Sequence, residues 1–287
     1  MSEQVFPASF GQQRLWFLDQ VLPGTTAYNL ARAFRLTGSL DPAALTSALQ
    51  SIISRHESLR TVFISIDDEV RQVVLSTLEF DLPISDISEL PAVQREQAAL
   101  SMAGEEASKP FDLSKGPLLR VKLLRLSPVE HILVLVIHHI IVDGWSMNLL
   151  FHEMGELYAS FVVGRQPQLP KLNLQYSDYS LWQRASVTSD FLAGELDYWK
   201  NKLQGAETVL QLPTDHPRPA ADSGRGESIH FELSHETNKS LKALAQSETA
   251  TLFMALLTIF QVLLGRYTLQ DSILVGSPTA GRNDVDL

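Results

Sequence analysis

Two adjacent histidines, followed closely by an aspartate and a glycine, are the residues best suited to chemistry: His138-His139-Ile140-Ile141-Val142-Asp143-Gly144-Trp145-Ser146. A neutral imidazole, with a pKa of about 6.5, can take a proton from an amine or an alcohol near neutral pH. Acyl transfer to an amine needs this, because the attacking nitrogen loses a proton as the new bond forms. Gly144 permits an unusual backbone angle or the close approach of a substrate. Backbone N–H groups at the start of a following helix can face a developing oxyanion. Asp143 can pair with an arginine or orient a histidine as in a triad. A lone histidine at a strand end is commonly structural, and Asp-Gly alone is a turn signal. Two adjacent histidines shortly before that pair favour catalysis, with Asp143 more readily structural. Zinc is disfavoured, since the chain has no cysteine, few other histidines and no H-E-x-x-H pattern.

The elements around this loop explain how it is held. Residues 131–137 (HILVLVI) form a nearly continuous apolar run, as expected for a central strand buried on both faces. A polar loop spans 138–146 and a helix runs from about 147 to 163. Successive strand residues point to opposite sides, so one histidine should face the substrate while the other packs inward. Upstream, residues 27–37 read as a strand. Asp41-Pro42 caps and opens a helix that extends to about Arg55, with Ala44, Leu45, Ala48, Leu49, Ile52 and Ile53 at helical spacing. Residues 60–66 and 70–75 form a hairpin around Asp67-Asp68-Glu69. A helix at 93–108 and a strand at 118–125 follow.

Downstream, the two prolines in 164–174 mark a linker and set a lobe boundary near residue 170. Helices are predicted at about 175–186, 190–203, 235–247 and 251–266. Strand-like runs lie at 229–233 and 272–275, and 204–228 reads as an exposed loop. The irregular mixture of strands and helices predicts an α/β fold built as α+β layers.

Composition narrows the classes further. At 287 residues the chain is long enough for two lobes. A net charge of −10 opposes general nucleic-acid binding, which needs clustered Lys and Arg. The absence of cysteine excludes disulfides, thiolate metal sites and a Cys nucleophile, and fits a reducing compartment. The first nine residues contain no long apolar run, so no secretory signal is read there. The most apolar stretch, 251–264, falls short of the ~20 residues that span a bilayer and reads as a buried helix.

The loop H-H-x-x-x-D-G resembles the signature of condensation domains of non-ribosomal peptide synthetases. The same signature occurs in a wider superfamily that includes chloramphenicol acetyltransferase-like and wax-ester-forming acyltransferases, so three more segments narrow the likeness. SFGQQRLWFL at 9–18 is similar to the first condensation-domain motif, RHESLRTVF at 55–63 to the second and YSDYSLW at 176–182 to the fourth. All occur in the expected order. The likeness covers the whole chain, and the chain covers the front portion of the family's domain. Residues 275–282 look like a segment that precedes the fifth motif.

The resemblance implies a chloramphenicol acetyltransferase-like two-lobed condensation fold. Residues 1–170 would be a complete N-terminal lobe carrying the histidine motif, and 171–287 a linker and incomplete start of a truncated second lobe. It implies peptide-bond formation: the amine of an acceptor aminoacyl group attacks a donor thioester. Both groups are tethered to 4'-phosphopantetheine arms of carrier proteins, and the domain itself binds no cofactor and no metal. The implied partners are upstream and downstream carrier proteins and the adenylation domain of the same assembly line, in the cytoplasm, with no nucleic acid and no membrane.

Residue by residue, His139 matches the base or the group that positions the amine, and His138 the more structural histidine. Asp143 matches the aspartate that stabilises the loop through an ion pair, for which Arg60 and Arg282 are the candidate partners. Gly144 matches the residue whose N–H borders the reacting carbonyl. Leu15, Trp16, Phe17 and Leu18, like Tyr176, Tyr179 and Trp182, read as helix packing rather than ligand contacts. Epimerisation domains share the motif. Heterocyclisation domains replace its histidines with aspartate, which His138 and His139 argue against. The stretch 12–18 leans towards a domain joining two L-configured partners. Two other readings are an acyltransferase of the superfamily that uses coenzyme A or free substrates, and a non-catalytic fragment that docks carrier proteins.

Overall fold

The structure is a computed structural model and describes residues 3–217, 226–279 and 281. It divides into two units, Met1–Thr188 and Ser189–Gly281.

The first unit carries every described strand: β1 (Gln4–Pro7), β2 (Asn29–Thr37), β3 (Thr61–Ile66), β4 (Glu69–Val74), β5 (Ile84–Asp86), β6 (Leu119–Ser127) and β7 (Glu130–His138). Its helices are α1 (Phe10–Val21), α2 (Pro42–Arg55), α3 (Ala92–Ala107), α4 (Gly144–Val162) and α5 (Tyr176–Ser186). The apolar run at 131–137 forms β7, an inner strand of a sheet ordered β2-β7-β6-β5. Every residue from His131 to His138 is buried, as expected of a strand covered on both faces. β2 pairs antiparallel with β7, placing Asn29 opposite His138 and Thr37 opposite Glu130. On one face, Leu124, Leu126, Ile132, Val134 and Val136 pack with Ala99 of α3. On the other, Leu119, Val121, Leu123, Leu133, Leu135 and Ile137 join the core that includes Leu45, Leu49 and Ile52 of α2 and Met147 and Leu157 of α4. The strand that ends in the histidines is therefore the most deeply enclosed element of the unit.

A second sheet, ordered β1-β4-β3, contains the expected hairpin. Asp67 and Asp68 have φ of 51° and 62°, the left-handed pair of a two-residue turn that matches strand twist. α2 starts as its sequence requires: Asp41 Oδ1 accepts from the N–H groups of Ala43 at 2.9 Å and Ala44 at 3.1 Å, with Pro42 in the first turn.

The first unit extends beyond the proline-containing linker, where the sequence placed a boundary near 170, to Thr188. The reason is that α5 is bonded back onto the start of the chain. The hydroxyls of Tyr176 and Ser9 lie 2.9 Å apart, Arg184 Nε donates to the Ala8 carbonyl at 2.8 Å, and Gln72 Nε2 donates to Ser180 Oγ at 2.8 Å.

The second unit contains α6 (Ser189–Leu203), α7 (His235–Ser247) and α8 (Leu252–Thr268). Two expectations fail here. The strand-like runs at 229–233 and 272–275 form no ladder among the described residues, and a strand exists only with a partner. Ile229 and Phe231 are 87% and 81% exposed. The apolar stretch at 251–264 is helical, but none of its residues is fully buried; α7 packs against α8 and leaves much of that helix exposed. Among the described residues no single helix is long and apolar enough to cross a membrane; α7 and α8 meet that test only as a pair bent by 104°.

Candidate active site

The site begins where β7 ends. His138 is its last residue, paired across the sheet with Asn29. The His139 N–H donates to the Tyr28 carbonyl at 2.9 Å, which extends the ladder by one step beyond the strand. The alternation expected of a strand therefore reaches both histidines. His138 is 2% exposed, whereas His139 is only partly buried. A turn follows, with the Ile141 N–H donating to the His138 carbonyl at 3.2 Å, and the side chains of Ile140, Ile141 and Val142 anchor it in the core.

His138 is a neutral, oriented ring. Its Nδ1 accepts from the Ile140 N–H at 3.2 Å, which puts its proton on Nε2. Burial, and secondarily the neighbouring His139, pull its pKa down to about 4. His138 is thus held within the loop, and His139 is the more exposed of the two histidines.

Asp143 caps α4. Its Oδ1 accepts from the Ser146 N–H at 2.7 Å and the Ser146 hydroxyl at 2.5 Å. A carboxylate at this helix start also complements the helix dipole. Asp143 takes the Ser146 N–H, while no acceptor among the described residues takes the N–H of Gly144 or Trp145. Both residues are exposed, and helix-start N–H groups without an intrahelical acceptor are the kind that can meet an oxyanion. Gly144 does not use glycine's special backbone freedom, contrary to one sequence reading. It sits in an ordinary helical conformation as the first residue of α4, and an added Cβ would meet nothing within 4 Å. Open space for an approaching group is what it contributes.

Of the two arginines expected to pair with Asp143, Arg60 is committed elsewhere. Its guanidinium lies 3.3 Å from Glu57 and donates to the Leu75 carbonyl. The local turn Glu57–Arg60 brings that carboxylate within three residues, which is a shorter tether than any to the histidine loop. Arg282 lies outside the described residues. Among the described residues no group of three or more His, Cys, Asp or Glu converges as metal ligands would.

A second polar centre was not anticipated. Glu153 of α4 is 4% exposed and accepts from Arg55 Nε at 3.2 Å and lies 2.6 Å from His56 Nε2. It ties the helix that starts at the histidine loop to the end of α2. The available signal was an acid four residues before Leu157 on α4, hence on the face of that core residue, whereas Glu156 is exposed. The remaining motif residues knit elements together: the Glu57 N–H donates to Gln175 Oε1 at 3.1 Å, and Tyr176, Tyr179 and Trp182 stack in sequence on α5.

The state of His138 makes a prediction about stability. Its imidazole titrates near 6.5 when unfolded and near about 4 when folded, so below 6.5 the unfolded chain binds the proton more readily. Stability is undiminished above 6.5, declines as the pH falls, and has lost the full contribution below about 4, a change of roughly 3 kcal/mol. Urea unfolding of wild type and His138→Gln from neutral pH down to about 4 should show the wild type losing more stability. Parallel pH dependences would contradict the assignment.

The same fold recurs in known proteins. The family model described as Condensation domain matches residues 2–287, and the chain belongs to that family. It is 50% identical over 281 residues to a linear gramicidin synthase of Brevibacillus parabrevis, covering 98% of this chain and 5% of that protein. It is 40% identical over 276 residues to phosphinothricin tripeptide synthetase PhsC of Streptomyces viridochromogenes, covering 96% of this chain and 25% of the relative. The chain therefore spans a minor part of these relatives' length. Among solved structures it resembles a four-domain nonribosomal peptide synthetase bound to AMP and glycine, with a TM-score of 0.83 and 25% identity over 99% of this chain and 21% of that one. It also resembles the X-domain from teicoplanin biosynthesis, with a TM-score of 0.77 and 30% identity over 91% of this chain and 57% of the other.

Proposed function

We propose that this chain supplies the histidine-bearing part of a condensation domain that joins two aminoacyl groups, each held as a phosphopantetheine thioester on a carrier protein. The acceptor's amine nitrogen attacks the donor's thioester carbonyl, and the C–N bond forms as the carbonyl oxygen takes up negative charge. The N–H groups of Gly144 and Trp145 stabilise that charge. His139 positions the amine and accepts its proton. When the C–S bond breaks, the proton passes to the departing sulfur, so an amide and a free carrier thiol result. His138 stays neutral and buried and holds the turn. Within this reading, residues up to Thr188 form the working lobe, the partners are two carrier proteins and an adenylation domain, the setting is cytoplasmic, and no cofactor is bound by the domain itself.

The observation that carries the proposal is the difference between neighbours: His138 is sealed and His139 is only partly buried, shortly before the exposed first residues of α4. Family membership supports the reaction class. The test is reconstitution of the full polypeptide that this reading frame encodes with donor and acceptor thioesters on separate carrier proteins, followed by mass spectrometry of the acceptor arm. The expected product is an amide on the acceptor carrier. Equal turnover of soluble thioesters without carriers would point instead to a superfamily acyltransferase for free substrates, and carrier binding without turnover would indicate a docking role.

A further inference from the structure

The His138 ring is enclosed by groups remote in sequence. The Phe111 ring meets it edge-on, with centroids 6.0 Å apart and planes at 82°, and Tyr28 lies 6.4 Å away at 56°. Phe111 belongs to the connection between α3 and β6, a segment with no regular structure to fix it. Two side chains from the sheet do so. Arg120 of β6 places its guanidinium carbon 3.7 Å above the Phe111 centroid and donates to the carbonyls of Glu106, Lys109 and Pro110 at 3.1, 2.6 and 3.3 Å. Asn29 Nδ2 donates to the carbonyls of Ala107 and Lys109, both at 2.9 Å. These are the carbonyls that a helix C-terminus and its exit leave without intrahelical partners. Asn29 stands opposite His138 and Arg120 opposite Val136, so all four project from the α3 side of the sheet.

We propose that Phe111, clamped by Arg120 and Asn29, is a positioning residue for the reaction: it seals the His138 ring and thereby fixes the turn from which His139 projects. This rests on the reading of His139 as the group that handles the amine. The groups facing His138 are Tyr28 from the entry to β2, His139 beside it and, across the Phe111 ring, the Arg120 guanidinium. Removing the Phe111 ring admits water to His138. The imidazole then becomes protonatable, and a protonated Nδ1 no longer accepts the Ile140 N–H, so the turn loosens. A positive charge also appears next to His139.

The test uses the full polypeptide with both carrier-bound thioesters, and compares Phe111→Leu with Phe111→Tyr, which keeps a ring. Phe111→Leu should lower kcat by about 10- to 100-fold, with KM for either carrier substrate changed by less than about twofold. Its kcat should also acquire a new fall on the acid side, and the His138 ring signals in NMR titration should move up from about 4 towards 6.5. Phe111→Tyr should restore most of kcat. Unchanged kcat in Phe111→Leu, or a His138 titration that stays near 4, overturns the proposal. Should Phe111→Leu fail to fold, Arg120→Lys, which keeps the charge but loses the planar stack and the forked contacts, is read by the same two measurements. If His139→Ala is fully active, the reading of the site fails. If only Phe111→Leu is fully active, the inference alone fails.

Discussion

Replacing His139 with Ala lowers the rate of amide formation by ~10²–10⁴-fold, the usual contribution of a positioned acid–base group. The loss should appear in the single-turnover rate constant, measured by rapid quench with both substrates loaded on carriers. Three features underlie this expectation. The loop is held by backbone bonds, from the His139 N–H to the Tyr28 carbonyl and from the Ile141 N–H to the His138 carbonyl, so truncation at 139 leaves the turn in place. The ring is only partly buried, so its removal opens no core cavity and unfolding is not the cause of the loss. His138 cannot substitute, because it is 2% exposed, its Nδ1 is engaged by Ile140, and its pKa of about 4 makes it a poor base. A His139→Ala enzyme within about threefold of wild type would contradict the assigned role.

Replacing Glu153 with Leu destabilises the first unit by ~3–5 kcal/mol, the size expected when one member of a buried ionic cluster is removed and its partners are stranded. Glu153 is 4% exposed, and Arg55 and His56 both converge on it. Arg55 keeps one further bond, to the Pro170 carbonyl at 2.5 Å, which offsets part of the loss. The pair Glu153→Leu with Arg55→Met should recover a substantial share, because an apolar exchange of both charges removes the unpaired cation. Urea unfolding of the single and double variants measures this. A single-variant loss below about 1 kcal/mol would place Glu153 with ordinary surface ion pairs.

Much of the site was legible because it is local in sequence. Asp143 caps α4 within the loop itself, and HILVLVI has to be a strand enclosed on both faces, so the position of the histidines follows from a short window. The difference in burial between His138 and His139 followed from strand alternation, once Tyr28 extended the ladder by one residue. What could not be read was long-range. Glu153 meets Arg55 and His56 only because α4 packs against α2. Phe111 reaches His138 only because Arg120 and Asn29 bind carbonyls beyond α3. The pairing of Arg60 with Glu57 was missed because the short helical turn that joins them carries no periodic signal. The short strands β1 and β5 escaped for the same reason, since few residues alternate. In the second unit the runs 229–233 and 272–275 have strand-like composition, but composition cannot supply the neighbour that makes a strand. Likewise α8 is apolar enough for a core, and burial depends on what covers it.

One imidazole of the adjacent pair is open to reactants and the other is not, and the assigned chemistry depends on that difference. Brief treatment of the full polypeptide with diethyl pyrocarbonate at neutral pH, with peptide mass spectrometry and a parallel assay of amide formation, tests it most directly. The expected result is an adduct on His139 and none on His138, loss of turnover in step with His139 labelling, and protection by a loaded acceptor carrier. Labelling of His138 in preference to His139, or full turnover with His139 completely modified, would contradict it.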